Sequence, residues 1–211
     1  MVEQENFVEL ERIERLDKGK YKLYFSNGNS IWVYSYEVRK MHLQEGSFLS
    51  EKEYQYIYNE LVGKRAKKRA LHLLERMDRT EQQLRDKLLA SDYPRECVED
   101  AIEYVKRFRY IDDQRYAETF TRYKKEKMSR HQIRQKLMQK GVSKETVAHA
   151  IEDEYDVDES EHIRKLLEKK RFAENHKNEG EARRVYNFLL RRGFRSNDIL
   201  REMKSMETDW D

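Results

Sequence analysis

The chain has 211 residues, 40% of them charged, yet the formal net charge is only +3 and there is a single cysteine. No apolar run approaches the roughly 20 residues of a membrane span, and one cysteine excludes an internal disulfide framework. With one proline and seven glycines, little interrupts a helix, and the composition fits a solvated, mostly helical, elongated protein better than a compact enzyme.

The regular spacing of Leu, Ile, Val and aromatic residues argues against disorder. The N-terminus, MVEQENFVELER, has no basic stretch followed by an apolar core, so no signal peptide is expected. With the lone Cys97 read as a small packing residue, a reducing cytoplasm is the expected location.

In chain order, residues 8–34 read as strands. YKLYF (21–25) and SIWVY (30–34) flank Ser26-Asn27-Gly28-Asn29, and Asn-Gly is a strong hairpin signal because both positions tolerate positive φ. VELERIERL (8–16) supplies a third strand. A short helix is expected around 36–43. Ser50-Glu51-Lys52-Glu53 is a capping box opening a longer helix, which Gly63 breaks or kinks.

The remainder is helical and repeats. Five apolar positions at offsets 0, 4, 9, 14 and 18 recur as Leu84, Leu88, Tyr93, Val98 and Ile102, as Ile133, Leu137, Val142, Val147 and Ile151, and as Val185, Leu189, Phe194, Ile199 and Met203. Offsets 0 and 4 share one helix face and 14 and 18 another, with offset 9 in the turn between them. Gly141 and Gly193 stand where a left-handed helix end is expected, and Asp92 takes that place in the first set. Thr80-Glu81-Gln82-Gln83 and Ser129-Arg130-His131-Gln132 are capping boxes, whereas the third set has Glu181 after Gly180, so its entry must be satisfied differently. Leu71 and Leu74, Phe120 and Tyr123, and Ile163, Leu166 and Leu167 mark a preceding helix in each unit. The expected division is an N-terminal extension over 1–62 with a β-hairpin and short helices, then three-helix repeats over 63–111, 112–155 and 156–211.

Asp112 and Asp113, within RYIDDQRYAETF, pose a choice between a metal pair and a helix start. Successive helical side chains diverge by about 100°, so the pair chelates one ion poorly. An aspartate there caps a free backbone N–H and favours the dipole, with Tyr116, Ala117, Phe120 and Tyr123 as the apolar stripe. The pair is read as a cap.

Four stretches, ALHLLERMDRTEQQLRDKL (70–88), RFRYIDDQRYAETF (107–120), SRHQIRQKLMQKGVSKETVAHAI (129–151) and RRVYNFLLRRGFRSNDILREM (183–203), resemble in order and spacing the RecX family, regulators of the bacterial recombinase RecA. The resemblance covers about residues 64–203. It implies a mainly α protein, three tandem three-helix repeats forming an elongated curved rod with a small β-rich N-terminal extension. It also implies a modulator, most often an inhibitor, that lies in the groove of the RecA–DNA filament and touches DNA directly. No catalytic machinery carries over.

Residues 63–155 carry 23 basic and 17 acidic side chains, a net +6, against −3 for residues 1–62 and zero for 156–211, so a polyanion is drawn most strongly to the middle. Candidate DNA or filament contacts are Lys64, Arg65, Lys67 and Lys68, with Arg69, in KRAKKR. In the middle they are Arg122, Lys124, Lys125, Lys127, Arg130 and Arg134, with Lys136. At the end they are Lys169-Lys170-Arg171, Arg183, Arg184, Arg191 and Arg192. The competing reading is a set of solvated faces with cations near helix C-termini. Acids are sparse around 122–136, which favours phosphate contact there. About five neutralised phosphates would give a log–log salt slope near −4. Nothing resembles base-edge readout, so single- and double-stranded DNA are expected partners without sequence specificity. EDEYDVDESE (152–161) is an acidic stretch that repels phosphate, meets a basic protein surface, or is a solvated linker. The histidines at 42, 72, 131, 149, 162 and 176 show no i, i+4 pair. With one cysteine no zinc set assembles, and no Gly-rich phosphate loop appears. The expectation is a monomeric, non-enzymatic protein without metal or cofactor, in the cytoplasm. Alternatives are a helix-turn-helix-like DNA regulator and a general repeat scaffold; the third helices, such as SKETVAHAIEDEY, are acidic and read bases poorly.

Overall fold

A computed structural model describes residues 7–175 and 178–208, and it divides after Asp112 into two compact units. In the first unit, β1 (Phe7–Arg15), β2 (Lys20–Phe25), β3 (Ser30–Tyr34) and β4 (Ser47–Ser50) form an antiparallel sheet ordered β3-β2-β1-β4. Alternation sends Val8, Leu10, Leu23 and Phe25 into the core. A register shift between Leu10 and Arg12 bends β1. The β2–β3 connection differs in detail from the expected turn. Among its described residues only Gly28 is left-handed, at φ 80°. Gly28 N donates to Phe25 O at 2.9 Å and Phe25 N to Asn29 O at 3.0 Å. This is a type of turn closed by a glycine bulge, in which Asn27 needs no positive φ.

The short helix α1 spans Ser35–Lys40. The capping box at Ser50 is formed, with Glu53 N donating to Ser50 Oγ (3.3 Å) and Ser50 N to the Glu53 carboxylate (2.9 Å). It opens α2 (Glu51–Gln55), which widens into a π-helical stretch over Tyr56–Gly63 and continues as α3 (Lys64–Arg76). Gly63 therefore does not break the helix. Its backbone is right-handed helical (φ −61°, ψ −46°), and the accommodation is the wide turn before it.

Helices α4 (Glu81–Leu89) and α5 (Arg95–Arg107) complete the first three-helix set. Its core is continuous with that of the sheet. Trp32 packs on Tyr93 with ring centroids 5.6 Å apart, and its indole N–H donates to Ser91 O at 3.2 Å. Lys22 pairs with Asp92 at 2.7 Å. Cys97 is buried against Tyr58 O, and burial pushes its thiol up to about 12, in keeping with a packing role.

In the second unit, α6 (Asp113–Lys124), α7 (Arg130–Gln139) and α8 (Lys144–Glu154) form the next set. Asp112 stands immediately before the first helical residue, as a cap should. The core face of α6 is Ala117 and Thr121 flanked by Tyr116 and Phe120. Tyr123, expected in this stripe, is instead 75% exposed, because two residues on from buried Thr121 it points about 200° round the helix, to the opposite face. The last set comprises α9 (Glu159–Lys169), a four-residue α10 (Phe172–Asn175) not foreseen from sequence, α11 (Glu179–Arg191) and α12 (Ser196–Thr208). The entry to α11 is satisfied by Asn178, whose Oδ1 accepts from Gly180 N and Glu181 N.

All fifteen repeating positions are buried. The three turn residues are left-handed, at φ 60° for Asp92, 86° for Gly141 and 79° for Gly193. Three three-helix domains on a mainly helical chain, with a small antiparallel sheet in front, are thus the architecture.

Candidate polyanion interface

The first basic cluster is largely committed to the fold. Arg65 Nη2 reaches both oxygens of buried Glu37 at 2.6 and 2.7 Å, and its guanidinium lies 4.4 Å from the Trp32 ring centroid and 4.6 Å from that of Tyr34. Arg65 is a pillar between α3 and the sheet. Lys64 pairs with Glu60 at 2.5 Å and Lys67 with Asp100 at 2.9 Å. Lys68 and Arg69 are exposed, without a partner among the described residues.

The second cluster is covered by the acidic stretch. Arg122 Nε donates to Glu154 at 2.9 Å and its Nη2 closes a second contact on the same carboxylate. Lys125 pairs with Asp156 at 2.7 Å. The Arg130 N–H donates to Glu159 at 2.8 Å, its guanidinium donates to Tyr155 O at 3.0 Å, and it rests 4.6 Å from the Tyr155 ring centroid. Hydrogen bonds from Arg122 and Lys125 hold the Glu154 and Asp156 carboxyls below their usual range. The acids that are sparse along 122–136 are supplied across space by residues 154–159, so the stretch serves as an internal counter-charge. Lys124, Lys127, Arg134 and Lys136 keep no partner among the described residues.

Where the second and third helical sets meet, cations converge on a cavity of about 520 Å³. Lys127 enters from the segment after α6, Lys165 and Lys169 from α9, and Lys170 and Arg192 from the caps that end α9 and α11, against a single acid, Glu126. Phe188 and Phe194 form its apolar wall, with Lys170 Nζ 4.7 Å and the Arg192 guanidinium 4.6 Å from the Phe188 centroid. Lys165 is offset by Glu161 at 2.9 Å. The seam is fixed by backbone contacts: Ser129 Oγ donates to Arg192 O, and His162 Nε2 meets Glu126 O at 2.5 Å. His162 is buried, and its Nδ1 has no partner among the described residues.

The fold thus joins Lys127 and Arg192, from separate sequence clusters, with Lys169 and Lys170. Arg183, Arg184 and Arg191 lie exposed on α11, outside the cavity lining, and Arg184 contacts Glu181. Lys165, His162 and Phe188 escaped the sequence reading, which had only charge runs to follow; cations recurring at the ends of successive helices were the available signal. His176 lies outside the described residues. Among the described residues no group of three potential metal ligands occurs, and no helix is long and apolar enough to cross a membrane.

Family models of RecX match in series: the first three-helix domain over residues 66–104, the second over 112–151 and the third over 157–203. Together they take in more than half of the chain. The chain belongs to the RecX family. Regulatory protein RecX of Caldanaerobacter subterraneus subsp. tengcongensis is 29% identical over 189 residues, covering 89% of this chain and 93% of that protein. Regulatory protein RecX of Clostridium botulinum strain Alaska E43 is 33% identical over 138 residues, 64% of each chain. A crystal structure of a regulatory protein RecX covers 96% of this chain and 99% of its own, at TM-score 0.60 and 25% identity. RecX from Lactobacillus salivarius shares the fold at TM-score 0.61 and 21% identity, over 69% of this chain and 97% of its own. This RecX-family chain therefore carries its family's helical domains in order, and its cavity belongs to the last two of them.

Proposed function

We propose that this RecX-family chain is a non-enzymatic modulator of the RecA recombinase, acting as an inhibitor by binding in the groove of the RecA–DNA filament. It would do so as a cytoplasmic monomer and so regulate recombination, DNA repair and the SOS response. The observation that carries the reading is the ordered match of three RecX domains along one chain. The convergence of Lys127, Lys169, Lys170 and Arg192 on one concave surface supports an auxiliary, sequence-independent DNA contact. A surplus of cations in a low-dielectric concavity favours phosphate over solvent counter-ions.

The test is the DNA-dependent ATPase of the cognate RecA on single-stranded DNA, with this protein titrated in below stoichiometry. Inhibition by few copies per many protomers is expected. Reversing Lys127 and Lys169 to Glu should weaken inhibition about tenfold at low salt and less at high salt. No change in ATPase at equimolar protein sinks the reading.

A further inference from the structure

Residues 104–110 read YVKRFRY, three rings and three cations without an acid. Val105 is fully buried, while Lys106, Arg107, Phe108, Arg109 and Tyr110 are all exposed. Helix α5 ends here because Arg109 turns left-handed (φ 55°), with its N–H donating to Lys106 O at 2.8 Å and that of Tyr110 to Val105 O at 2.9 Å. The turn leaves Phe108 and Tyr110 standing out, 51% and 53% exposed, although Ile111 beside them is buried. The rings form a tilted row: Tyr104 to Phe108 is 4.9 Å between centroids and Phe108 to Tyr110 is 6.3 Å.

Cations line this row. The Arg107 guanidinium lies 5.1 Å from the Phe108 centroid, with no acidic partner among the described residues, and Lys67 Nζ lies 5.8 Å from the Tyr104 centroid. Lys106 and Lys67 are tied to Glu81 (3.0 Å) and Asp100 (2.9 Å), which fixes the edges of the surface. Rings and guanidinium planes offer flat faces to any base, and cations attract the phosphates between them.

We propose that Tyr104, Phe108 and Tyr110, with Arg107, form a stacking platform for the bases of single-stranded nucleic acid. The proposal rests on the reading of this chain as a DNA-contacting protein, but it assigns bases, rather than phosphates alone, to a named surface.

The test uses the full-length protein, first without RecA and then in the RecA ATPase titration. Fluorescence anisotropy compares a labelled oligothymidylate with an abasic oligonucleotide of the same length, for the wild type, Phe108→Ala, Tyr110→Ala and Phe108→Tyr. The wild type should bind the oligothymidylate more tightly than the abasic strand. Each alanine variant should lose about tenfold on the oligothymidylate alone, and Phe108→Tyr should restore binding. Both side chains are half exposed, so circular dichroism should show an unchanged fold. Equal binding of the two strands by the wild type, equal losses on both strands in the variants, or no binding of either strand, overturns the platform. Lost RecA inhibition with unaltered oligonucleotide binding would make the surface a protein contact, and also overturns it. A wild type that shows the base-dependent signature but leaves RecA ATPase untouched supports the platform and refutes only the recombinase reading.

Discussion

At Gly193 the backbone and a neighbour both demand glycine. Its φ is 79°, and a Cβ added there would sit 2.4 Å from His131 Cδ2 and 2.5 Å from His131 Cβ and Cγ. Gly28 has nearly the same φ, 80°, with nothing within 4 Å of such a Cβ. The pair separates conformational strain from steric exclusion. Gly28→Ala should cost only the left-handed penalty, about 1 kcal/mol. Gly193→Ala should cost about 3 kcal/mol, because the new Cβ would meet His131 Cβ as well as its ring, and a Cβ cannot swing aside by side-chain rotation. Urea midpoints of the two variants check this; equal losses would mean that His131 moves away freely. Asp92, in the equivalent turn of the first repeat, is one of the few side-chain types that visit this conformation readily, and Lys22 pairs with its carboxylate.

Between elements, the contact least visible in sequence is Glu202 on α12, which is 2% exposed and bonded to Arg164 of α9 at 2.5 Å and to Arg201 at 3.2 Å. Burial pushes this carboxyl up, but the hydrogen bonds from Arg164 and Arg201 outweigh it and hold the group below the usual carboxylate range. A carboxyl with a lowered folded-state pKa stabilises the fold above its unfolded value, near 4.3. That contribution is lost as pH falls through the folded value. Glu202→Gln should therefore lose about 2 kcal/mol at neutral pH and show a flatter loss of stability on acidification below about pH 4.5; thermal melts across that range measure both. Sequence could not pair Arg164 with Glu202, nor Arg65 with Glu37 or Arg122 with Glu154, because such contacts join residues 28 to 38 apart. What could be read was local. Twelve of the fifteen buried positions follow helical periodicity, Tyr93, Val142 and Phe194 mark the turns between helices, and Asp92, Gly141 and Gly193 follow from helix-end geometry. β4 has only four residues, too few to alternate visibly. The candidate cations were legible as types, but their pairing by residues 154–159 was a matter of tertiary contact.

For the whole molecule, the sheet is part of the first helical domain's core rather than an appendage. Leu10, Leu23, Phe25, Ile31, Trp32 and Val33 all contribute to it. Deleting residues 1–50 should reduce helicity across α3–α5 and make Cys97 reactive toward a thiol reagent at pH 8. In the intact protein that thiol is buried and its pKa is pushed up to about 12, so it should react slowly. A deletion variant with normal helicity and an inert Cys97 would contradict the shared core.

The uninterrupted run from Glu51 through the wide turn to Arg76 has a consequence for how this chain can change length. Connections between a head and a body are ordinarily where insertions and deletions accumulate. Here the connection is a rigid shaft, with Tyr54, Ile57 and Tyr58 keyed into the core at one end and Ala66, Ala70 and Leu73 at the other. Removing one residue between those keys would rotate one set against the other by about 100°. Single-residue indels should therefore be tolerated in the exposed turn at Gly28 far better than anywhere between residues 59 and 65, where length is as constrained as any buried side chain.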